Sequence, residues 1–289
     1  MTRRVRGHRR LRGGLSAGIV AAVFCLPACG APDIPLPPEA QASTPDLQFG
    51  RYELVPFAAY PMRAHDYSRV LHPLIGASQS KHIPGWDYAF ENLISQPDGS
   101  MIARNTGTTM AGLKWEQERD AKRIEANYKV EATLPDIHPG TIVAPLWLYS
   151  EGADDPDEDA HEWDFEFLHD RLELNLHNGN GGFLLDSVHR DFSGHRVLLE
   201  IDRRTTVVTM RVTDLTDGFI FQRSFTPDSL AAMAQSRPAP RNLRFPDAPM
   251  FPMMEFWVSN TEEWAGPAEL PAPGEARDMI LHGYSITPY

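Results

Sequence analysis

Cysteine is almost absent from this 289-residue chain, and its two examples, Cys25 and Cys29, both lie near the start. A disulfide framework or a cysteine metal site is therefore excluded for the rest of the chain. Basic residues are also scarce, with 27 Lys and Arg against 39 Asp and Glu. Since nucleic-acid binding requires a basic surface, this acidic balance argues against a nucleic-acid partner.

Motifs for metal binding are missing as well. The 11 histidines include no H-E-x-x-H arrangement. Asp155, Asp157 and Asp159 superficially resemble a calcium loop, with Glu166 at the twelfth position. However, Ala160 stands where such a loop needs a glycine for its turn. We therefore predict no metal site in this segment and interpret it as an acidic loop.

The first residues have the layout of a secretory signal. Six arginines precede the apolar run LSAGIVAAVFCLPAC, which is too short for an ordinary membrane span. Its end, Leu26-Pro27-Ala28-Cys29, resembles the bacterial lipobox, in which the signal is cut before a cysteine that is then lipidated. An ordinary cleavage site with an incidental Cys29 is the alternative.

We thus predict a signal peptide over residues 1–28, followed by a Pro-rich tether over residues 29–46 after a lipidated Cys29. The protein would be secreted across the inner membrane and anchored to the bacterial cell envelope, at the outer membrane or the cell surface. Loss of the six arginines changes the formal charge from −12 to −18. Residues 47–289 show no second linker, and we expect one domain and a monomer.

Short alternating segments recur along this domain and are separated by Gly, Pro, Asn and Asp. They include ANYKVEATL, TIVAPLWLYS, HEWDFEFL, LELNLHN, HRVLLEIDR, MFPMMEFWVSN and MILHGYSITPY. Many short strands with turn signals between them indicate an all-β sandwich of two sheets packed face to face. One short capped helix is predicted in TPDSLAAM, at residues 226–233.

The segment HEWDFEF contains three acids at every second position, Glu162, Asp164 and Glu166, with aromatic residues between them. Period-two alternation predicts a strand with all three carboxylates on one face. Glu162 and Glu166 would have Cα atoms roughly 13 Å apart, so their side chains must converge to the separation of about 5–5.5 Å that a retaining glycosidase needs. A solvated acidic face is the alternative interpretation.

EWDFEFL resembles the signature of glycoside hydrolase family 16, in the form found in lichenases and plant xyloglucan-modifying enzymes. Neighbouring segments are similar to the family's strands too: NYKVEATLPDIHPGTIVAPLWLY, LELNLHNGNGG, PMMEFWVSNTEEWAG and LHGYSITPY. The likeness covers roughly residues 84–289. It implies a concanavalin-like jelly-roll sandwich with a cleft on its concave sheet, and retaining hydrolysis of internal β-glycosidic bonds.

The resemblance also implies site roles: Glu162 as nucleophile, Glu166 as acid/base and Asp164 as helper. Parity places further side chains on the same faces, and sugar sites need aromatic platforms and hydrogen-bonding groups. The substrate-binding residues predicted from parity are Trp257, Tyr149, Asn175, His177, Glu255 and Trp147. The resemblance implies three more: Trp264, Glu116 and Arg119. Trp147 fits a core position as well as a cleft position, and His177 fits a plain surface position.

Three residues depart from the family pattern. Trp163 stands where the family has a small aliphatic residue, so the core beneath the nucleophile must be repacked. Glu255 replaces the Asn that the family has beside its cleft tryptophan. Gly283 stands where many members have an Asp that helps to hold structural calcium. No cofactor is therefore expected to be required, and a structural calcium ion stays in doubt.

These observations predict a lipid-anchored endo-β-glycanase that hydrolyses β-1,3 or β-1,4 linkages of a glucan or a bacterial exopolysaccharide. Two alternatives stay open. A transglycosylase would use the same covalent intermediate but pass it to a sugar hydroxyl. A noncatalytic polysaccharide-binding lipoprotein would use the same face, although binding alone needs no three acids at this spacing.

Overall fold

The computed structural model describes residues 71–73, 76–77, 87–115, 123–150, 160–178, 181–239, 243–259 and 261–289. The predictions for the signal peptide, Cys29, the tether, Glu116, Arg119 and the acidic loop at residues 151–159 fall outside these ranges. Within them, no helix is both long enough and apolar enough to cross a membrane.

Sixteen strands are found in this part of the chain. They are β1 Leu71–Pro73, β2 Gly76–Ala77, β3 Asp87–Tyr88, β4 Leu93–Ser95, β5 Met101–Asn105, β6 Thr109–Trp115, β7 Ala126–Thr133, β8 Thr141–Ser150, β9 His161–Phe167, β10 Arg171–Asn178, β11 Gly181–His189, β12 Arg196–Arg203, β13 Val208–Asp214, β14 Ile220–Phe225, β15 Phe251–Val258 and β16 Arg277–Pro288. The helices are α1 Pro227–Ser236, α2 Glu262–Ala265 and a 3-10 turn at Phe90–Asn92.

The strands form two sheets. The larger sheet has the order β11-β10-β9-β8-β15-β6-β3-β2, with β1 also paired to β6. The smaller sheet has the order β14-β13-β12-β7-β16-β5-β4. All the pairings are antiparallel except β3 with β6. The predicted all-β jelly-roll sandwich is confirmed.

The core lies between the sheets and is formed by the apolar face of each strand. In β10, Leu172, Leu174 and Leu176 are fully buried, as their alternation with polar residues predicts. They pack in one cluster with residues of the smaller sheet, such as Val130 and Ile201. This arrangement fixes the direction of the opposite face of β10, which points away from the core.

Trp163 of β9 is part of this core and has no exposed surface. Its ring centroid lies 5.8 Å from that of Phe225 at the end of β14, and 5.9 Å from that of Phe245. Its indole nitrogen has no hydrogen-bond partner among the described residues. The repacking that the sequence predicts beneath the nucleophile position is therefore aromatic, with residues of the smaller sheet and the segment before β15.

Candidate active site

The three acids of β9 lie on the face of the larger sheet that points away from the core. We call this the polar face, defined by Glu162, Asp164 and Glu166 of β9 and by the residues that flank them on β10, β8 and β15. In the register with β10, Glu166 lies opposite Glu173, Asp164 opposite Asn175, and Glu162 opposite His177. Each acid thus has a polar cross-strand neighbour.

A β-bulge in β8 lies next to Glu166. Val143 pairs with Phe167 and Trp147 pairs with Asp164, so three residues of β8 span two residues of β9. The extra residue falls at Ala144–Leu146, around Pro145, which has no N–H to donate to the ladder. The same irregularity appears in the pairing of β8 with β15. Bulges of this kind redirect side chains and are frequent beside active sites.

Glu166 belongs to a hydrogen-bonded chain that runs across β10. The Asn175 amide nitrogen donates to Glu166 and, at 3.2 Å, to Glu173. Glu173 also accepts from the Trp264 indole nitrogen at 2.9 Å and from Arg171 at 2.6 Å. Arg171 in turn donates to the backbone oxygen of Trp264 at 2.7 Å. The polar face and helix α2 are thereby tied together.

Burial determines the ionisation of the three acids. Asp164 is 4% exposed and Glu166 is 8% exposed. Burial and then the charge of Glu255 raise the pKa of Glu162 to about 8. Burial and then the charge of Glu173 raise the pKa of Glu166 to about 8, against the lowering effect of the Asn175 hydrogen bond. The pKa of Asp164 is raised well above its usual range by burial and by neighbouring carboxylates. The acids therefore hold protons at pH values where free carboxyls are ionised.

Glu255 is a fourth carboxylate on the polar face, on β15. It lies opposite Ala144 of β8 and Gly112 of β6. Burial raises its pKa to about 7, and a hydrogen bond from Tyr88 opposes the rise. Burial and the charge of Glu255 raise the pKa of Tyr88 well above its usual range, so the phenol stays protonated and donates. The hydroxyl that donates to Glu255 thus comes from β3, two strands away from β15 in the same sheet.

His177 lies at the other end of the row of acids. Its Nε2 is 3.5 Å from Asp164 Oδ2. Its ring covers Gly182 of β11, where an added Cβ would come within 2.8 Å of Nδ1. Burial lowers the pKa of His177 to about 4, although the charge of Glu173 opposes this, so the imidazole is neutral near pH 7.

Aromatic side chains flank the acids on β8 and β15. Tyr149 pairs with Glu162 and Trp147 pairs with Asp164, so both lie on the polar face, yet both are buried. Their rings are 6.0 Å apart edge to face. Trp257 and Trp264 are partly exposed, with ring centroids 6.1 Å apart. This second pair can offer flat apolar surface to a sugar ring.

Most of the predicted site residues within the described ranges are therefore brought together on one face. Sequence reasoning left two features out. Parity placed Glu173 on this face, but nothing in the sequence indicated that it would accept from Asn175, Trp264 and Arg171. Tyr88 was not predicted at all, because the donor to Glu255 comes from a two-residue strand without a recognisable pattern.

Comparisons with known proteins place this fold among those of glucan-cleaving enzymes. The β-glucanase of Bacillus licheniformis matches with a TM-score of 0.59 at 16% identity, covering 84% of this chain and 100% of the other. The laminarinase catalytic domain of Thermotoga maritima MSB8 matches with a TM-score of 0.58 at 18% identity, covering 79% and 95%. The endo-β-1,3-glucanase of Pyrococcus furiosus matches with a TM-score of 0.55 at 17% identity, covering 76% and 89%.

No protein-family model and no curated protein sequence matches the chain. Laminarinases and a lichenase are among the structural neighbours, and the predicted resemblance is confirmed at the level of the fold. At these identities the likeness concerns the fold alone. The chemistry has to be argued from this chain's own residues.

Proposed function

We propose that the protein is a retaining endo-β-glycanase. The observation that supports this most strongly is the placement of Glu162 and Glu166 on one face of a central strand, with Asp164 between them. Retaining glycosidases need two carboxyl groups that flank the scissile bond, one as nucleophile and one as acid/base. A simple solvated surface would not bury Asp164 and Glu166 next to a partly buried Glu162.

The reactive state is the one in which Glu162 has lost its proton and Glu166 has kept it, since the pKa of each is raised to about 8. In the first step, the ionised Glu162 attacks the anomeric carbon and forms a glycosyl ester, while Glu166 gives its proton to the departing sugar oxygen. In the second step, Glu166 takes a proton from water, which attacks the same carbon and releases Glu162. Asn175 donates a hydrogen bond to Glu166 and orients it. Asp164 is the helper, placed between the two glutamates.

We propose one of two substrates. The first is a neutral β-glucan with β-1,3 or β-1,4 linkages, and the second is a bacterial exopolysaccharide. The named activities of the structural neighbours, β-glucanase and laminarinase, support the first class. The partly exposed Trp257–Trp264 pair supports sugar stacking on the polar face. The predicted lipid anchor at Cys29 would place this activity at the cell envelope.

Product analysis tests the proposal. The purified protein is incubated with laminarin, lichenan and exopolysaccharides, and products are sized over time. We expect early release of oligosaccharides with retained anomeric configuration. Tight binding without any release would establish the noncatalytic alternative, and products longer than the substrate would establish transglycosylation.

Substitution of the two glutamates tests the roles. Glu162→Gln and Glu166→Gln should each lower turnover by at least about a thousandfold while the proteins stay folded. The first substitution removes the nucleophile and the second removes the acid/base. Glu131→Gln in β7, on the other sheet, is the control and should keep turnover.

Azide rescue assigns which glutamate is which. With an aryl glycoside that needs no acid catalysis, Glu166→Ala plus azide should give a β-glycosyl azide. Glu162→Ala plus azide should give the α-anomer, because azide then attacks the substrate directly. The reverse stereochemistry would exchange the roles, and undiminished turnover in both Gln variants would refute the mechanism.

A further inference from the structure

The described part of the chain contains two groups that could hold a metal ion, each made of two carboxylates and one histidine. In each group, one ligand atom from every residue lies within 4.8 Å of the other two. The groups are Glu162, Asp164 and His177, and His195, Asp214 and Asp217. They differ in what already surrounds their charges, and this difference determines which of them can take a cation.

The group on the smaller sheet is already neutralised. Arg190 donates to Asp214 at 3.2 Å and also contacts Asp217. His195 Nδ1 lies 2.6 Å from Asp214 Oδ2. A guanidinium thus occupies the space between the two carboxylates, and a second cation there would be repelled. This group is a closed ion-pair network.

The group on the polar face has no such partner. Within the described ranges, no lysine or arginine forms an ion pair with Glu162 or Asp164. Asp164 is more than nine-tenths buried, and its Oδ2 has no hydrogen-bond partner. That oxygen points towards His177, 3.5 Å from Nε2. A buried carboxyl oxygen without a partner is costly, and a cation that displaces the proton of Asp164 would satisfy it.

The backbone fixes the positions of all three ligands. Glu162 and His177 are direct cross-strand partners, and Asp164 is two residues along β9 on the same face. The His177 ring is held against Gly182, where no side chain competes for the space. Glu162 is only partly buried, so one side of the group stays open. Three ligands with an open fourth position match a common tetrahedral arrangement.

We propose that Glu162, Asp164 and His177 form a binding site for a divalent transition cation such as Zn²⁺. One imidazole with two carboxylates suits Zn²⁺ and its neighbours in the transition series. Calcium and magnesium prefer sets made of oxygen atoms alone, and Ca²⁺ takes six to eight of them. The site therefore discriminates against these two ions.

The cation would also inhibit the enzyme, and this consequence rests on the proposed function. A metal bound by Glu162 occupies the carboxylate that must attack the anomeric carbon. The metal and the glycan would then compete for one position. Raised Zn²⁺ should increase KM with little effect on kcat at saturating glycan.

Calorimetric titration of the full chain with Zn²⁺, without glycan, tests the site directly. We expect one equivalent to bind, and Co²⁺ to give the visible absorption of a site with nitrogen and oxygen ligands. Ca²⁺ and Mg²⁺ should give no saturable heat. His177→Gln and Asp164→Asn should each weaken binding by at least about tenfold.

Two further variants separate the site from general effects. Gly182→Ala leaves the ligands in place but pushes the His177 ring away, so it should also weaken Zn²⁺ binding. His195→Gln removes the histidine of the closed network and should leave binding unchanged. Circular dichroism and thermal unfolding check that each variant is folded.

The inference is overturned if the wild type binds no Zn²⁺ in the millimolar range, or if His177→Gln binds it as tightly as the wild type. Its failure is distinct from failure of the proposed function. A protein that cleaves glucan but ignores Zn²⁺ refutes only the cation site. A protein that binds Zn²⁺ through His177 but releases no sugar refutes only the glycanase.

Discussion

Trp163 is a large aromatic core residue at a position where the resemblance implies a small aliphatic one. The structure accommodates its ring with Phe225 and Phe245, but leaves the indole N–H without a partner. A buried donor of this kind costs about 1–3 kcal/mol, so hydrophobic packing must outweigh that cost. The residue stabilises the strand from beneath while its neighbours Glu162 and Asp164 face the other way.

We predict that Trp163→Phe changes the free energy of unfolding by less than about 1.5 kcal/mol, because the smaller ring loses packing but removes the unpaired N–H. Trp163→Ala should destabilise by about 3–5 kcal/mol through the cavity it leaves. Urea unfolding measures both. Equal losses in the two variants would contradict the cavity explanation, because Phe leaves a much smaller cavity than Ala.

For single residues, the sequence predicts well which face of a strand a side chain lies on, but it predicts the contacts of that side chain poorly. Alternation correctly assigned Trp163 to the core and Glu162, Asp164 and Glu166 to the other face. Alternation says nothing about which donor reaches which acceptor across strands. The contacts of Glu173 with Asn175, Trp264 and Arg171 depend on register and on the loop before α2, and these appear only in three dimensions.

At the scale of elements, helix α1 has a start that the sequence specifies clearly. Thr226 caps it: its side chain accepts from the Ser229 N–H, and the Ser229 hydroxyl accepts from the Thr226 N–H. Pro227 follows at the first helical position, where its missing N–H costs nothing. Leu230 then packs into the core between the sheets.

We predict that Thr226→Ala lowers the free energy of unfolding by about 1 kcal/mol, because the N–H of Ser229 loses its acceptor. Thr226→Asp should keep most of the stability, since its side chain can cap the same N–H. Thermal unfolding compares the two. If both variants melt at the wild-type temperature, the cap contributes nothing.

Elements were predicted where alternation was strong and missed where glycine interrupts it. β8, β9 and β10 fall within one residue of the predicted segments. β11 was not predicted, because it begins at Gly181-Gly182, which the sequence presents as a turn. The β8 bulge was also not predicted, although Pro145 was a signal for it, because proline inside a sheet is confined largely to edges and bulges.

At the scale of the whole molecule, the buried carboxylates make stability depend on pH. The pKa of Glu255 is raised to about 7 in the folded protein, whereas an unfolded glutamate titrates near 4.3. Between these values the folded state holds a proton that the unfolded state has lost. Glu255 therefore makes stability fall as pH rises through this window.

We predict that Glu255→Gln is more stable than the wild type at pH 8, by on the order of 2 kcal/mol, and nearly equal to it at pH 4. Urea unfolding at pH 4, 6 and 8 measures this. Glu263→Gln, which removes an exposed carboxylate from α2, is the matched control and should stay within about 0.5 kcal/mol at each pH. Parallel pH curves for Glu255→Gln and the wild type would contradict the assignment.

The order of the strands has a consequence for how the chain is made. β15 lies between β8 and β6 in the larger sheet, and β16 lies between β7 and β5 in the smaller one. Both late strands are thus interior, and neither sheet can close while the ribosome is still adding them. Pairing between strands that are far apart in sequence is slow, because the entropy cost of closing the long loop comes before the stabilising contacts form. The polar face, which includes Glu255 of β15, can therefore be completed only after β15 has been synthesised.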